Sequence, residues 1–137
     1  MGLFVDSSAW YAAANQKDRH NLRAKQVLQS DQDLITTDHI LVECWLLLWR
    51  SVGRQAANRF WGAILEGAAF LERVTPEDLE RAWRVGQAFS DQDFSLVDLT
   101  SFVVMERLGI HRVATFDKDF VIYRYGEDRQ RAFEVVR

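Results

Sequence analysis

The chain has 137 residues, 48% of them hydrophobic, one cysteine and a formal charge of −3. That length supports one ordinary core and excludes two comfortable domains, so a single domain over 1–137 is expected. Cys44 alone excludes an internal disulfide, the longest unbroken apolar run (44–49) is far short of the roughly 20 residues that span a bilayer, and the net charge excludes a module held on nucleic acid by its overall field.

The opening residues MGLFVD carry no basic leader, which together with the cysteine usage predicts a soluble, cytoplasmic protein. Residues 2–5 are expected as a first strand ending at Asp6, with Ser7 or Ser8 capping a helix through Ala14. Asp18 can cap a second helix over 19–30 with a modest apolar face, Leu22, Val27 and Leu28, and 33–36 is a short second strand. From 38 to about 52 the pattern is apolar nearly all round, which predicts a helix buried on several sides and stopped by Gly53.

A partner helix over 54–67 carries Phe60, Trp61, Ile64 and Leu65, and 69–74 reads as a third strand. Thr75-Pro76-Glu77-Asp78 combines a capping hydroxyl, Pro at the first helical position and an acid three residues after the cap, which predicts a helix to about 89. Residues 95–108 form another helix closed by Gly109, followed by a strand over 112–116, a turn at 117–120 and a last strand at 133–136. Short continuous apolar strands alternating with helices predict an α/β fold whose parallel sheet is covered on both faces.

Ligands in open parallel sheets bind beyond the carboxyl ends of the strands. Asp6 and Asp117 follow strands there, while Glu43 and Asp98 lie within the first turns of helices, so all four can face one edge. Two carboxylates about 4 Å apart repel by about 4 kcal/mol at an effective dielectric of 20, so four together call for a cation. An all-oxygen set without Cys and with few His points to Mg²⁺ or Mn²⁺ over Zn²⁺. Each acid has a plainer reading: Asp98 as the capping-box partner of Ser95, Asp6 and Asp117 as turn or cap residues, Glu43 as half of a core salt bridge.

The segments FVDSSAW, TTDHILVE, DFSLVDLTSF and VATFDKDF, in this order, resemble the four acidic motifs of PIN-domain ribonucleases, and the short chain resembles the VapC toxins of toxin–antitoxin pairs. The resemblance runs from end to end. It implies a single PIN-like domain and a Mg²⁺-dependent endoribonuclease, with Mn²⁺ a possible substitute. In that site Asp6, Glu43, Asp98 and Asp117 form the acidic quartet, Ser8 and Thr115 support it, and Asp119 shares the claim of Asp117. It also implies an RNA substrate cut to 5′-phosphate and 3′-hydroxyl ends, an antitoxin partner and a homodimer.

Trp45 and Trp49 with Phe60 and Trp61 are candidates for an antitoxin groove; the alternative is that they fill the chain's own core. Two other functions stay open: a housekeeping RNA-processing nuclease of the same fold, and a receiver-like Mg²⁺-binding signalling domain. The receiver reading wants paired acids after the first strand, where Ser7 and Ser8 stand, and gives no reason for Glu43.

Overall fold

The structure, a computed structural model, describes residues 2–30 and 33–137. Among these, a five-stranded parallel sheet comprises β1 (Leu3–Val5), β2 (Leu34–Thr37), β3 (Phe70–Glu72), β4 (Arg112–Ala114) and β5 (Glu134–Val136), in the order β3-β2-β1-β4-β5. Parallel neighbours need crossovers, and helices supply them. α1 (Ser7–Ala14) and α2 (Asn21–Gln29) join β1 to β2, and α3 (Asp38–Ser51) and α4 (Arg54–Ala63) join β2 to β3. α5 (Pro76–Ala88) and α6 (Leu96–Leu108) lead to β4, and the short α7 (Asp119–Ile122) precedes β5. The α/β architecture read from the sequence is therefore the one observed.

Leu3, Phe4 and Val5 of β1 and Val113 and Ala114 of β4 are buried, which is why these strands are written as unbroken apolar runs. Phe4 pairs with Val113 and Val5 with Ala114, so the register sets residue 6 beside residue 115. Behind this edge Phe102 of α6 stacks on Tyr123, with centroids 4.1 Å apart, and meets Phe120 of α7 edge-on at 5.0 Å. That aromatic packing ties α6 to α7, the two helices that carry Asp98 and Asp119.

Several local expectations are corrected. Asp6, not Ser7 or Ser8, stands at the N-cap of α1, and its carboxylate makes no capping bond because it is held elsewhere. Asp18 does not cap a helix from residue 19: it accepts from the His20 amide at 2.8 Å, a turn that delays α2 to Asn21. The 54–67 helix loses its regular ladder at Ala63 and closes through a π-helical turn, Ile64–Ala68, in which Gly67 takes φ 100°, open to glycine at little cost. Strands three, four and five are shorter than read, and the turn after β4 contains α7.

The largest difference concerns α3. Ile40, Leu41, Cys44 and Leu48 are buried as expected, but Val42, Leu46, Leu47 and Trp49 are exposed. Its apolar pattern thus serves two surfaces, a core face and an open one. Cys44 is fully buried, and burial pushes its thiol up, which leaves it a small inert hydrophobe. No helix among the described residues is long and apolar enough to cross a membrane.

Candidate metal centre

The site begins where β1 and β4 end. The Asp6 amide continues the ladder by donating to the Ala114 carbonyl at 3.0 Å. Its side chain, 2% exposed, accepts at Oδ2 from Ser8 Oγ and Thr115 Oγ1, both at 2.9 Å. The same hydroxyls accept backbone amides in turn: Ser8 Oγ takes Phe116 N at 3.0 Å, and Thr115 Oγ1 takes Asp117 N at 2.9 Å. Burial holds the Asp6 carboxyl above the ordinary carboxylate range, the Thr115 and Ser8 hydroxyls oppose that shift, and the charge of Asp117 adds to it.

Asp98 enters from α6. Its amide donates to Ser95 Oγ at 3.1 Å and its Oδ2 accepts from Ser95 N at 3.3 Å, a complete capping box. The capping reading and the site reading therefore hold together, because the N-terminus of α6 points at the cleft. Asp98 is 6% exposed. Burial first, then its hydrogen bond with Asp119 and the charges of Asp6 and Asp117, push its carboxyl up to about 8 against the opposing Ser95 amide.

Asp117 and Asp119 follow β4 in one turn, in which the Asp119 amide donates to Asp117 Oδ1 at 3.0 Å. One carboxylate oxygen each from Asp98, Asp117 and Asp119 lies within 4.8 Å of the others. Asp119, read from the sequence as a supporting residue, thus stands in the tightest acidic trio alongside Asp117. Glu43, on the second turn of α3, is half-buried and accepts from Ser7 Oγ. It has no arginine partner among the described residues.

Asp6, Glu43, Asp98, Asp117 and Asp119 all line one cleft of about 490 Å³, with Ser7, Ser8 and Asp93. Asp91 is exposed and is not among the lining residues. Ser7 was missed as the partner of Glu43; the doubled serine after Asp6 was the available signal. Tyr11, Asp18, His20 and Phe116 also line the cleft and carry no motif that would have marked them.

The donor set fits a hard divalent cation. It is made of oxygen alone, its trio of carboxylates lies within the span one ion can bridge, and no Lys or Arg is among the described residues lining the cleft. Without a cation, burial raises the Asp98 carboxyl and the charges of Asp6 and Asp117 add to that shift.

A parallel sheet that gathers acids at its carboxyl edge is the arrangement of a nuclease class, the PIN domain, whose family model matches residues 3–126. Over 119 residues the chain is 36% identical to the 23S rRNA-specific endonuclease VapC20 of Mycobacterium tuberculosis, in strains CDC 1551 / Oshkosh and ATCC 25618 / H37Rv, covering 86% of this chain and 91% of the relative. The crystal structure of VapC20, described as a sarcin-ricin loop cleaving toxin, superposes with TM-score 0.83 and 36% identity over 88% of this chain and 93% of that one. A toxin-antitoxin complex from Klebsiella pneumoniae shares the fold at TM-score 0.66 and 13% identity, covering 98% of this chain and 96% of that one. The chain belongs to the PIN-domain family and, within it, to the VapC-type ribonuclease toxins. The receiver-like alternative gives way to this assignment.

Proposed function

We propose that this chain is a Mg²⁺-dependent endoribonuclease, with Mn²⁺ able to substitute, and acts in the cytoplasm as the toxin half of a toxin–antitoxin pair. The observation that carries the reading is the convergence of the Asp98, Asp117 and Asp119 carboxylates beside Asp6 and Glu43 in a cleft that no Lys or Arg lines among the described residues. Asp6, Asp98, Asp117 and Asp119 would hold the ion, with Glu43 at its edge. When bound, the ion supplies Lewis-acid polarisation of a phosphate oxygen, a lower pKa for its water and charge stabilisation in an in-line displacement.

The protein's own groups do the rest. Ser8 and Thr115 fix the orientation of Asp6, and the capping box fixes Asp98, so these ligands are ordered before substrate arrives. Glu43, held by Ser7, orients the attacking water and takes its proton. The water oxygen bonds to phosphorus, the P–O3′ bond breaks and the departing oxygen is protonated, giving 5′-phosphate and 3′-hydroxyl ends.

The 23S rRNA named for VapC20 is the first substrate we assign. The exposed apolar side chains of α3, Val42, Leu46 and Trp49, together with Trp61 on α4 and Leu65 in the π-helical turn after it, suit an antitoxin segment and a second copy of the chain. Phe60, by contrast, belongs to the core.

The test is cleavage of purified ribosomes and total RNA with Mg²⁺ or EDTA, with the ends mapped. A small set of metal-dependent cuts bearing 5′-phosphates supports the reading. Full activity in EDTA, or cyclic phosphate ends, overturns it.

A further inference from the structure

A second hollow, of about 400 Å³, adjoins the acidic cleft and is lined by Arg19, His20, Arg23, Phe116 and Arg137. His20 and Phe116 line both spaces and so form the wall between them. Their rings are stacked, with centroids 4.3 Å apart and planes 5° from parallel. Arg19 Nε donates to His20 Nε2 at 3.2 Å, which orients the imidazole, and Arg23 Nη2 donates to the main-chain oxygen of Arg137 at 3.1 Å.

Arg19 and Arg23 are exposed and pair with no Asp or Glu among the described residues, whereas Arg84 is paired with Glu80 and Arg107 with Asp78 and Glu72. Two arginines with no Asp or Glu held on them, Arg19 bonded to the imidazole and Arg23 to a main-chain oxygen at the hollow's rim, stand beside a flat aromatic pair and carry the elements of a nucleotide site: charge for the backbone and a π-face for the base.

The acidic cleft accounts for the scissile phosphate alone. RNA on either side remains a polyanion, and Asp18 and Asp93 at the cleft wall repel it. A strand leaving the cleft over the His20–Phe116 wall meets the arginines within the next hollow. A base inside a duplex offers no free face to such a wall, so the nucleotide there must be unpaired.

We infer that the hollow formed by Arg19, His20, Arg23 and Phe116 is a nucleotide subsite that takes an unpaired residue flanking the cut, its phosphate on Arg19 and Arg23 and its base against the His20–Phe116 stack. This rests on the ribonuclease reading of the acidic cleft. It makes the local structure of the RNA, unpaired beside the cut, part of what is recognised.

The test is steady-state cleavage of a fluorogenic single-stranded oligoribonucleotide, with direct binding of the same RNA read by fluorescence anisotropy. The Arg19→Ala/Arg23→Ala pair should raise KM about tenfold while kcat falls less than about twofold, and the log–log salt slope of binding should become shallower by about 0.7 for each phosphate no longer neutralised. Phe116→Leu should raise KM about tenfold and Phe116→Tyr should restore it, since stacking tolerates any aromatic ring. Arg84→Ala, remote and ion-paired, should change neither. Wild-type cleavage with unchanged KM and salt slope in the double variant overturns the subsite and leaves the ribonuclease reading standing. Absence of metal-dependent cleavage by the wild type overturns the ribonuclease reading, and equal RNA affinity of wild type and double variant then overturns the subsite as well.

Discussion

Asp78 and Asp98 hold the same position, three residues past the cap of α5 and α6, and differ in their counter-ion. Arg107 donates to Asp78 from Nη2 at 2.8 Å and from Nε at 3.0 Å and holds that carboxyl below its ordinary range, by hydrogen bond and charge, against the burial that would raise it. Asp98 has no such cation among the described residues and faces Asp119, Asp117 and Asp6 instead. One acid completes a structural ion pair; the other is left for a ligand.

Substitution should separate these roles. Asp98→Asn keeps a capping oxygen but can no longer offer an ion a carboxylate, so RNA cleavage should fall to background while Tm in EDTA stays equal or rises. Asp78→Asn should lose about 1–3 kcal/mol through its broken bonds to Arg107 yet keep its cleavage rate. Melting curves paired with cleavage assays check both, and equal activity in the two variants would remove Asp98 from the site.

The pH dependence of the metal-free protein follows from the same acid. Native Asp98 keeps its proton to about 8, whereas the unfolded chain releases it near the ordinary Asp value, so between these limits the native state binds more protons. Its contribution to stability is therefore greatest at low pH and declines as pH rises through the window; the raised Asp6 acts in the same sense. Denaturant titrations in EDTA from about pH 5 to about pH 8 should show this decline, and Asp98→Asn should flatten it. A wild-type curve that rises over the window would contradict the Asp98 environment.

Binding of a divalent ion must displace the proton that Asp98 holds. Calorimetric titration with Mg²⁺ in buffers of differing ionisation enthalpy should report net proton release near neutral pH, and affinity should increase with pH. Mg²⁺ should also raise Tm more at about pH 8 than at about pH 5.5, because less proton competition remains there. Proton uptake, or no binding at millimolar Mg²⁺, would argue against an ion among these acids.

Thr115 offers a test of orientation. Its hydroxyl donates to Asp6 and accepts the Asp117 amide, so Thr115→Val should leave the Asp117 amide without that acceptor and Asp6 with Ser8 as its remaining close donor, at a cost of about 1–3 kcal/mol, and lower kcat by about tenfold or more. Thr115→Ser, which keeps the hydroxyl, should recover most of kcat. If serine and valine behave alike, the role of Thr115 is packing alone.

Much of this was legible in the chain because the signals are local. Strands buried on both faces must be written as apolar runs, and Thr75 and Ser95 announce their helices through the acids three residues on. What escaped was set by neighbours distant in sequence. Asp6 looks like any residue after a strand until Thr115, 109 positions away, reaches its carboxylate. α3 reads as buried all round because periodicity does not tell a core face from a face left open, and Val42 and Leu46 prove to be the latter. Asp119 gained its place from the turn it shares with Asp117, which spacing alone cannot rank.

The pairing of Val5 with Ala114 ties the first strand to a segment made more than a hundred residues later. A nascent chain that has exposed Asp6, Glu43 and Asp98 still lacks β4, the hydroxyl of Thr115 and the acids beyond it. A chain truncated ahead of β4 would lack Asp117, Asp119 and the hydroxyl that holds Asp6, and should therefore cleave no RNA.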